Sequence, residues 1–157
     1  ASLAEDGTAK VGLDDFARKL IGKIDAIEFP ETGTRVKAGE PLFSIRQGQR
    51  QMAFHAPLSG TVVKTNERLA GEPGAIENLA YGKNWVCVIE GENLDSELTE
   101  LKIGKSAVAF FQEEVKRIQS FLQNEGIPAS EALKTGALEK LDDSGWKAVA
   151  QAHFGTN

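Results

Sequence analysis

The apolar positions change their period near residue 95. Before it, short runs rich in Val, Ile and Phe are punctuated by Gly and Pro, which predicts strands joined by tight turns. Thr8–Leu13 reads as a strand. Asp14 then caps a short helix, Asp14–Ile21, with Phe16 and Leu20 on one face and Gly22 at its end. Lys23–Phe29 reads as a further strand. Leu42–Ile45 and Gln51–His55 predict a hairpin around Gly48, where a positive φ costs little. Thr61–Thr65 and Trp85–Glu90 complete the β-rich part. Gly22-Lys23-Ile24 is echoed by Gly60-Thr61-Val62, as if two half-units closed on each other into a small flattened barrel or sandwich.

After residue 95 the pattern is helical. Ala107, Val108, Phe111, Val115, Ile118, Phe121 and Leu122 form one stripe on a helix from Lys105 to Asn124, which Gly126-Ile127-Pro128 stops. Glu113 and Arg117 are spaced for an i,i+4 ion pair. Ser130–Lys134 suggests a short helix capped by Ser130. Asp142-Asp143-Ser144 opens a last helix carrying Trp146, Val149, Ala150, His153 and Phe154. The organisation expected is therefore a β-rich domain, 1–95, and a helical extension, 96–157, packed on that domain or on a partner. Such stripes more often pack inward than form a free partner surface.

Composition narrows the function classes. The 157 residues, 41% apolar and 26% charged, are ordinary for a globular protein with a real core. A net charge of −5 argues against nucleic acid as a partner. No apolar run approaches the roughly 20 residues that a membrane span needs. The single cysteine, Cys87, excludes an intrachain disulfide framework and suits a reducing, cytoplasmic setting. The chain opens on Ala1-Ser2-Leu3, which has no signal-peptide character and no Met, so room is left for an upstream segment.

From Val11 to Glu90 a set of short motifs occurs in a particular order. They are Val11-Gly12-Leu13, Asp15-Phe16-Ala17, Leu20-Ile21-Gly22, Phe29-Pro30-Glu31 and Val36-Lys37-Ala38-Gly39-Glu40-Pro41, followed by Ala56-Pro57-Leu58-Ser59-Gly60-Thr61-Val62-Val63, Asn66-Glu67, Pro73, Tyr81-Gly82 and Trp85. In this order and spacing the chain resembles the H-protein of the glycine cleavage system. The resemblance implies a mostly β, α+β fold, the barrel-sandwich hybrid of lipoyl domains, here with a C-terminal helical extension. It also implies a hairpin whose tip displays a lysine bearing lipoate, an arm that carries an aminomethyl group between enzymes.

The family pattern at that tip is Glu-Ser-Val-Lys. Counting forward from Gly39-Glu40-Pro41 and back from Pro57-Leu58-Ser59-Gly60 places it at Arg46-Gln47-Gly48-Gln49, with no gap. Gln49 thus stands where the lipoyl-lysine is expected, and Arg46 reverses the charge of the acid. Lipoylation needs a nucleophilic primary amine on an exposed stem. The nitrogen lone pair of a carboxamide is delocalised, and arginine stays protonated. Lipoate is therefore expected for the family but not for this tip, and no other cofactor is implied. Two smaller departures accompany this one. Glu77-Asn78-Leu79-Ala80 precedes Tyr81 where the family has Asn-x-Asp-Pro, and the helical tail runs past the usual end after Ser120.

The remaining candidates read as structural. His55, His153 and Cys87 have no metal-ligand spacing, and Cys87 sits in the apolar run Trp85–Ile89 as an inert thiol. Glu5 and Asp6, Asp14 and Asp15, and Asp142 and Asp143 suit turns and helix starts. Ser59 lacks a nucleophile-elbow glycine, and Gly71-Glu72-Pro73-Gly74 lacks the Lys of a phosphate loop. No catalytic or metal residue is therefore assigned.

The expected function is a non-enzymatic module. It docks through the surface of the β-domain, with the C-terminal helices as a second contact, on a protein partner, an enzyme of glycine cleavage, lipoate or redox metabolism. The tip residues Arg46, Gln47, Gly48, Gln49 and Arg50 are the candidate contact, set against a merely solvated turn. A homodimer through the C-terminal helices is a further expectation if their stripe is exposed. Two alternatives remain: a genuine lipoyl aminomethyl carrier, and small-molecule binding in the groove that a lipoyl arm would occupy.

Overall fold

The computed structural model describes residues 1–77, 84–100, 105–132 and 134–154. The strands are β1 (Ser2–Leu3), β2 (Thr8–Gly12), β3 (Ala26–Glu28), β4 (Arg35–Val36), β5 (Pro41–Gln47), β6 (Arg50–His55), β7 (Gly60–Thr65) and β8 (Trp85–Gly91). The helices are α1 (Asp15–Ile21), α2 (Glu67–Gly71), α3 (Leu94–Glu100), α4 (Lys105–Asn124) and α5 (Asp143–Phe154), with 3-10 turns at Pro73–Glu77 and Ala137–Lys140.

The strands form two antiparallel sheets, one in the order β1-β2-β8-β7-β4 and one in the order β3-β5-β6. Both sheets feed one core. Ala9, Val11, Val62, Cys87 and Ile89 come from the first, and Ile27, Phe43, Ile45 and Met52 from the second. Phe43 and Phe54 stack across the hairpin, with ring centroids 5.0 Å apart.

Local chemistry sets the element ends. The Asp14 side chain accepts from the Ala17 amide at 2.7 Å and starts α1, and Gly22 ends it at φ 78°. Asp142 plays the same part for α5, accepting from the Gly145 amide at 2.7 Å. Helix α4 ends at a left-handed Gly126, beyond which Ile127 donates back to the Leu122 carbonyl. Asp6 takes both the amide and the hydroxyl of Thr8, which holds its carboxyl below the ordinary range. One carboxylate of each acidic pair, Asp6, Asp14 and Asp142, thus serves a turn or a cap.

The C-terminal segment shares the β-domain's core rather than standing apart. Ile118, Leu122, Leu138, Leu141, Trp146, Val149 and Ala150 are buried in the same cluster as the strands. Helix α5 packs on β6 and α4, and the 3-10 turn before it packs on α1. At this seam a Cβ on Gly22 would lie 2.7 Å from the Gly136 Cα and 2.0 Å from Glu139 Oε1. The two chain segments therefore meet backbone to backbone.

Several sequence expectations change. The strand expected over Lys23–Phe29 is only Ala26–Glu28, with the Asp25 amide still donating to the Arg46 carbonyl. Gly22-Lys23-Ile24 thus leads into a loop, whereas Gly60-Thr61-Val62 opens β7, so the echo is one of sequence only. Residues 129–132 form turns in place of the helix expected over Ser130–Lys134, with Glu131 and Ala132 both donating to the Pro128 carbonyl. Arg117 pairs with Glu114 at 3.0 Å, one turn position away from the Glu113 partner expected. The two-residue strands β1 and β4 have no period to read, and α3 offers only Leu94 and Leu98 as apolar positions. In the α4 stripe, Ala107, Val108 and Phe111 lie outside the described side chains, as do His153 and Phe154 in α5 and the whole 78–83 segment.

Candidate functional site

The hairpin tip is built by alternation along β5 and β6. Phe43, Ile45 and Gln47 share one face with Arg50, Met52 and Phe54 opposite them, while Ser44 and Arg46 share the other with Gln51 and Ala53. Ile45 and Met52 are buried, so the first face is the inner one. Gln47 and Arg50, polar as they are, therefore point inward at the end of the core. Arg46 and Gln51 point outward.

Gln47 and Arg50 are the last paired residues, which leaves Gly48-Gln49 as a two-residue turn. Gly48 takes the first central position at φ 59°, where a residue with a Cβ would be strained. Gln49 occupies the second position, exposed, and its side chain makes no hydrogen bond among the described residues.

Each inward group is anchored. The Gln47 amide nitrogen donates to the Ile21 carbonyl at 2.7 Å and the Lys23 carbonyl at 2.8 Å, taking up carbonyls at the C-terminal end of α1. Its oxygen is buried without a partner. The Gly48 amide donates to Asp25 Oδ2 at 2.8 Å, and this bond, helped by Lys23, holds the Asp25 carboxyl below its ordinary range. Asp25 in turn donates its amide to the Arg46 carbonyl at 2.9 Å, extending the ladder beyond β3.

Arg50 reaches into the C-terminal segment. Its guanidinium donates to the Leu141 carbonyl at 2.7 Å, to Asp143 Oδ1 at 2.9 Å and, at the limit of range, to the Leu138 carbonyl at 3.5 Å. It also lies 5.8 Å from the Trp146 ring centroid. Glu139 accepts from the Lys23 amide at 3.0 Å, and the Gly136 amide donates to the Lys19 carbonyl at 2.7 Å. The sequence suggested a basic turn flanked by two arginines. The structure brings the five tip residues together but takes Arg50 out of the solvent-facing set, leaving Arg46 and Gln49. The period of two gave the signal: positions 47 and 50 fall on the apolar face. What faces Arg50, residues 138–146, lies about ninety residues away and could not be read locally.

The other candidates stay apart from this site. Cys87 is fully buried, and burial pushes its thiol up to about 12. Among the described residues no group of His, Cys, Asp or Glu could hold a metal ion. Ser59 is a turn residue, its hydroxyl accepting from the Ala38 amide and its own amide donating to Glu97. No helix among the described residues is long and apolar enough to cross a membrane.

Comparison with known proteins agrees with the geometry. The family model described as glycine cleavage H-protein matches residues 2–114. The chain is 38% identical to a probable glycine cleavage system H protein of Pyrococcus abyssi over 71% of this chain and 83% of the relative. It is 35% identical to glycine cleavage system H protein 4 of Aquifex aeolicus over 71% of this chain and 65% of that one. The crystal structure of a glycine cleavage system H protein from Mycobacterium marinum superposes with a TM-score of 0.52 and 27% identity, over 57% of this chain and 71% of that one. The described residues from Glu125 onward, with which Arg50, Lys23 and Lys19 bond, lie beyond the matched region. On its sequence, its two antiparallel sheets and its hairpin, the chain belongs to the glycine cleavage H-protein family.

Proposed function

We propose that this chain is a non-catalytic docking module of its family, one that carries no lipoyl group at the hairpin tip. Residue 49 carries the reading. The turn apex presents a carboxamide where acylation needs an amine, so lipoate does not fit this tip. The neighbouring tip residues support the same view, since Gln47, Gly48 and Arg50 are spent on holding the turn in place. Arg46 and Gln49 remain to meet a protein partner, an enzyme of glycine cleavage, lipoate or redox metabolism. The two sheets fit a barrel-sandwich hybrid arrangement, and a cytoplasmic setting accords with a single buried, unreactive thiol.

The described part of the α4 and α5 stripe is packed against the chain's own domain, so it offers little apolar surface to a second copy. That favours a partner of another kind over a homodimer.

Intact-mass measurement after co-expression with a lipoate ligase tests the reading. The expected mass is that of the unmodified chain, and a lipoyl adduct on any residue would sink it. Affinity capture with Arg46→Glu then tests the docking surface: loss of the partners recovered by the wild type is the expected outcome.

A further inference from the structure

We propose that the C-terminal segment is a fixed shield on one flank of the hairpin tip, so that residue 49 is open to a partner docking from one side but closed to one that must enclose the tip. The proposal rests on the docking reading for its use, though not for its geometry.

The wall stands along the β6 edge of the hairpin. A cavity of about 190 Å3 separates the two, with Gln49, Arg50 and Gln51 on one side and Asp143, Trp146 and Lys147 from the first turns of α5 on the other. The tip is therefore not a free-standing loop, because helix side chains flank its apex. The wall is also held firmly. Leu138 and Val149 are fully buried and Trp146 is 3% exposed, so α5 cannot swing aside without opening the core. Arg50 fastens the hairpin to the same wall through the Leu141 carbonyl and Asp143. Gln47 and Asp25 fix the turn from the α1 side. Both ends of the turn are therefore tied to the body of the protein.

The outward flank is different. Arg46 is exposed, with no side-chain hydrogen bond among the described residues. A partner fits this site if it approaches over the outward face and touches Arg46 and Gln49 together. An enzyme pocket that closes round a hairpin tip would collide with Asp143 and Lys147.

Cysteine labelling tests the wall without any partner. Cys87 is buried and its thiol is unreactive, so Gln49→Cys in the full chain supplies one accessible thiol. Ala38→Cys, in the exposed turn before β5, supplies the comparison. Each is labelled with iodoacetamide and with a maleimide carried on a small folded protein, and the ratio of bulky to small rates is taken. The ratio is expected to be roughly tenfold lower at 49 than at 38, because a one-sided approach restricts orientation. Trimming the wall with Asp143→Ala and Lys147→Ala is expected to raise the ratio at 49 and leave that at 38 unchanged. Equal ratios at the two sites, or a ratio at 49 indifferent to trimming, would overturn the shield. Either result leaves the mass and capture experiments free to support or sink the docking reading separately.

Discussion

Gln47 and Gln49 are the same side chain two positions apart, on one turn, with opposite circumstances. Gln47 points inward, closes two backbone carbonyls at the end of α1 and has a buried oxygen. Gln49 is exposed, with no hydrogen bond from its side chain among the described residues. The contrast separates two requirements that the family's tip motif combines: the turn must be held, and its apex must present a reactive group. Here Gln47 holds the turn, and the apex carries a carboxamide in place of an amine.

The comparison is broken most severely by Gln47→Glu. It replaces two donors with a carboxylate facing two carbonyls, and should cost about 2–4 kcal/mol in denaturant-monitored stability. If the loss equalled that of Gln49→Glu, Gln47 would not be an anchor. Arg50→Ala comes next, at about 2 kcal/mol, because it strands the Leu141 carbonyl and removes the guanidinium beside Trp146. Asp143→Ala should cost only about 0–1 kcal/mol, since that carboxylate is 83% exposed and its ion pair is screened. A thermal or urea series on the two variants would show whether the carbonyl or the charge holds the segment.

Asp25 sharpens the picture through pH. Its folded carboxyl lies below the ordinary value, chiefly because of the Gly48 amide. The stability it contributes is complete above the unfolded carboxylate pKa and is lost as pH falls through the depressed folded value. The Gly48 amide resonance should titrate with Asp25 in that acidic window. In Asp25→Ala the resonance should be flat and Gly48 should exchange faster at neutral pH. Smallest of all is Gln49→Lys, expected to change stability by less than about 0.5 kcal/mol. A measurable loss there would mean that the apex is held after all.

Much of this fold was legible. The strands β2, β5, β6, β7 and β8 appear as period-two or apolar runs between Gly and Pro, and α4 spans the residues its stripe gives, because both follow from local pattern. The two-residue strands were not legible, because two residues carry no period. Nor was the partner of Arg50, because the carbonyls of Leu138 and Leu141 meet it through tertiary packing that no local spacing encodes. The inward direction of Gln47 and Arg50 was in the alternation with Ile45 and Met52. It is obscured by the assumption that polar side chains at a hairpin end face water.

The seam at Gly22 has a consequence for transplantation. Since Gly22 leaves no space for a methyl group against Gly136 and Glu139, the tail cannot be grafted as an independent cassette. A recipient would need a bare backbone at position 22, an arginine at 50 and free carbonyls at the end of its first helix. Any alanine at that seam would be expected to reject the graft however well the tail's apolar residues suited the host.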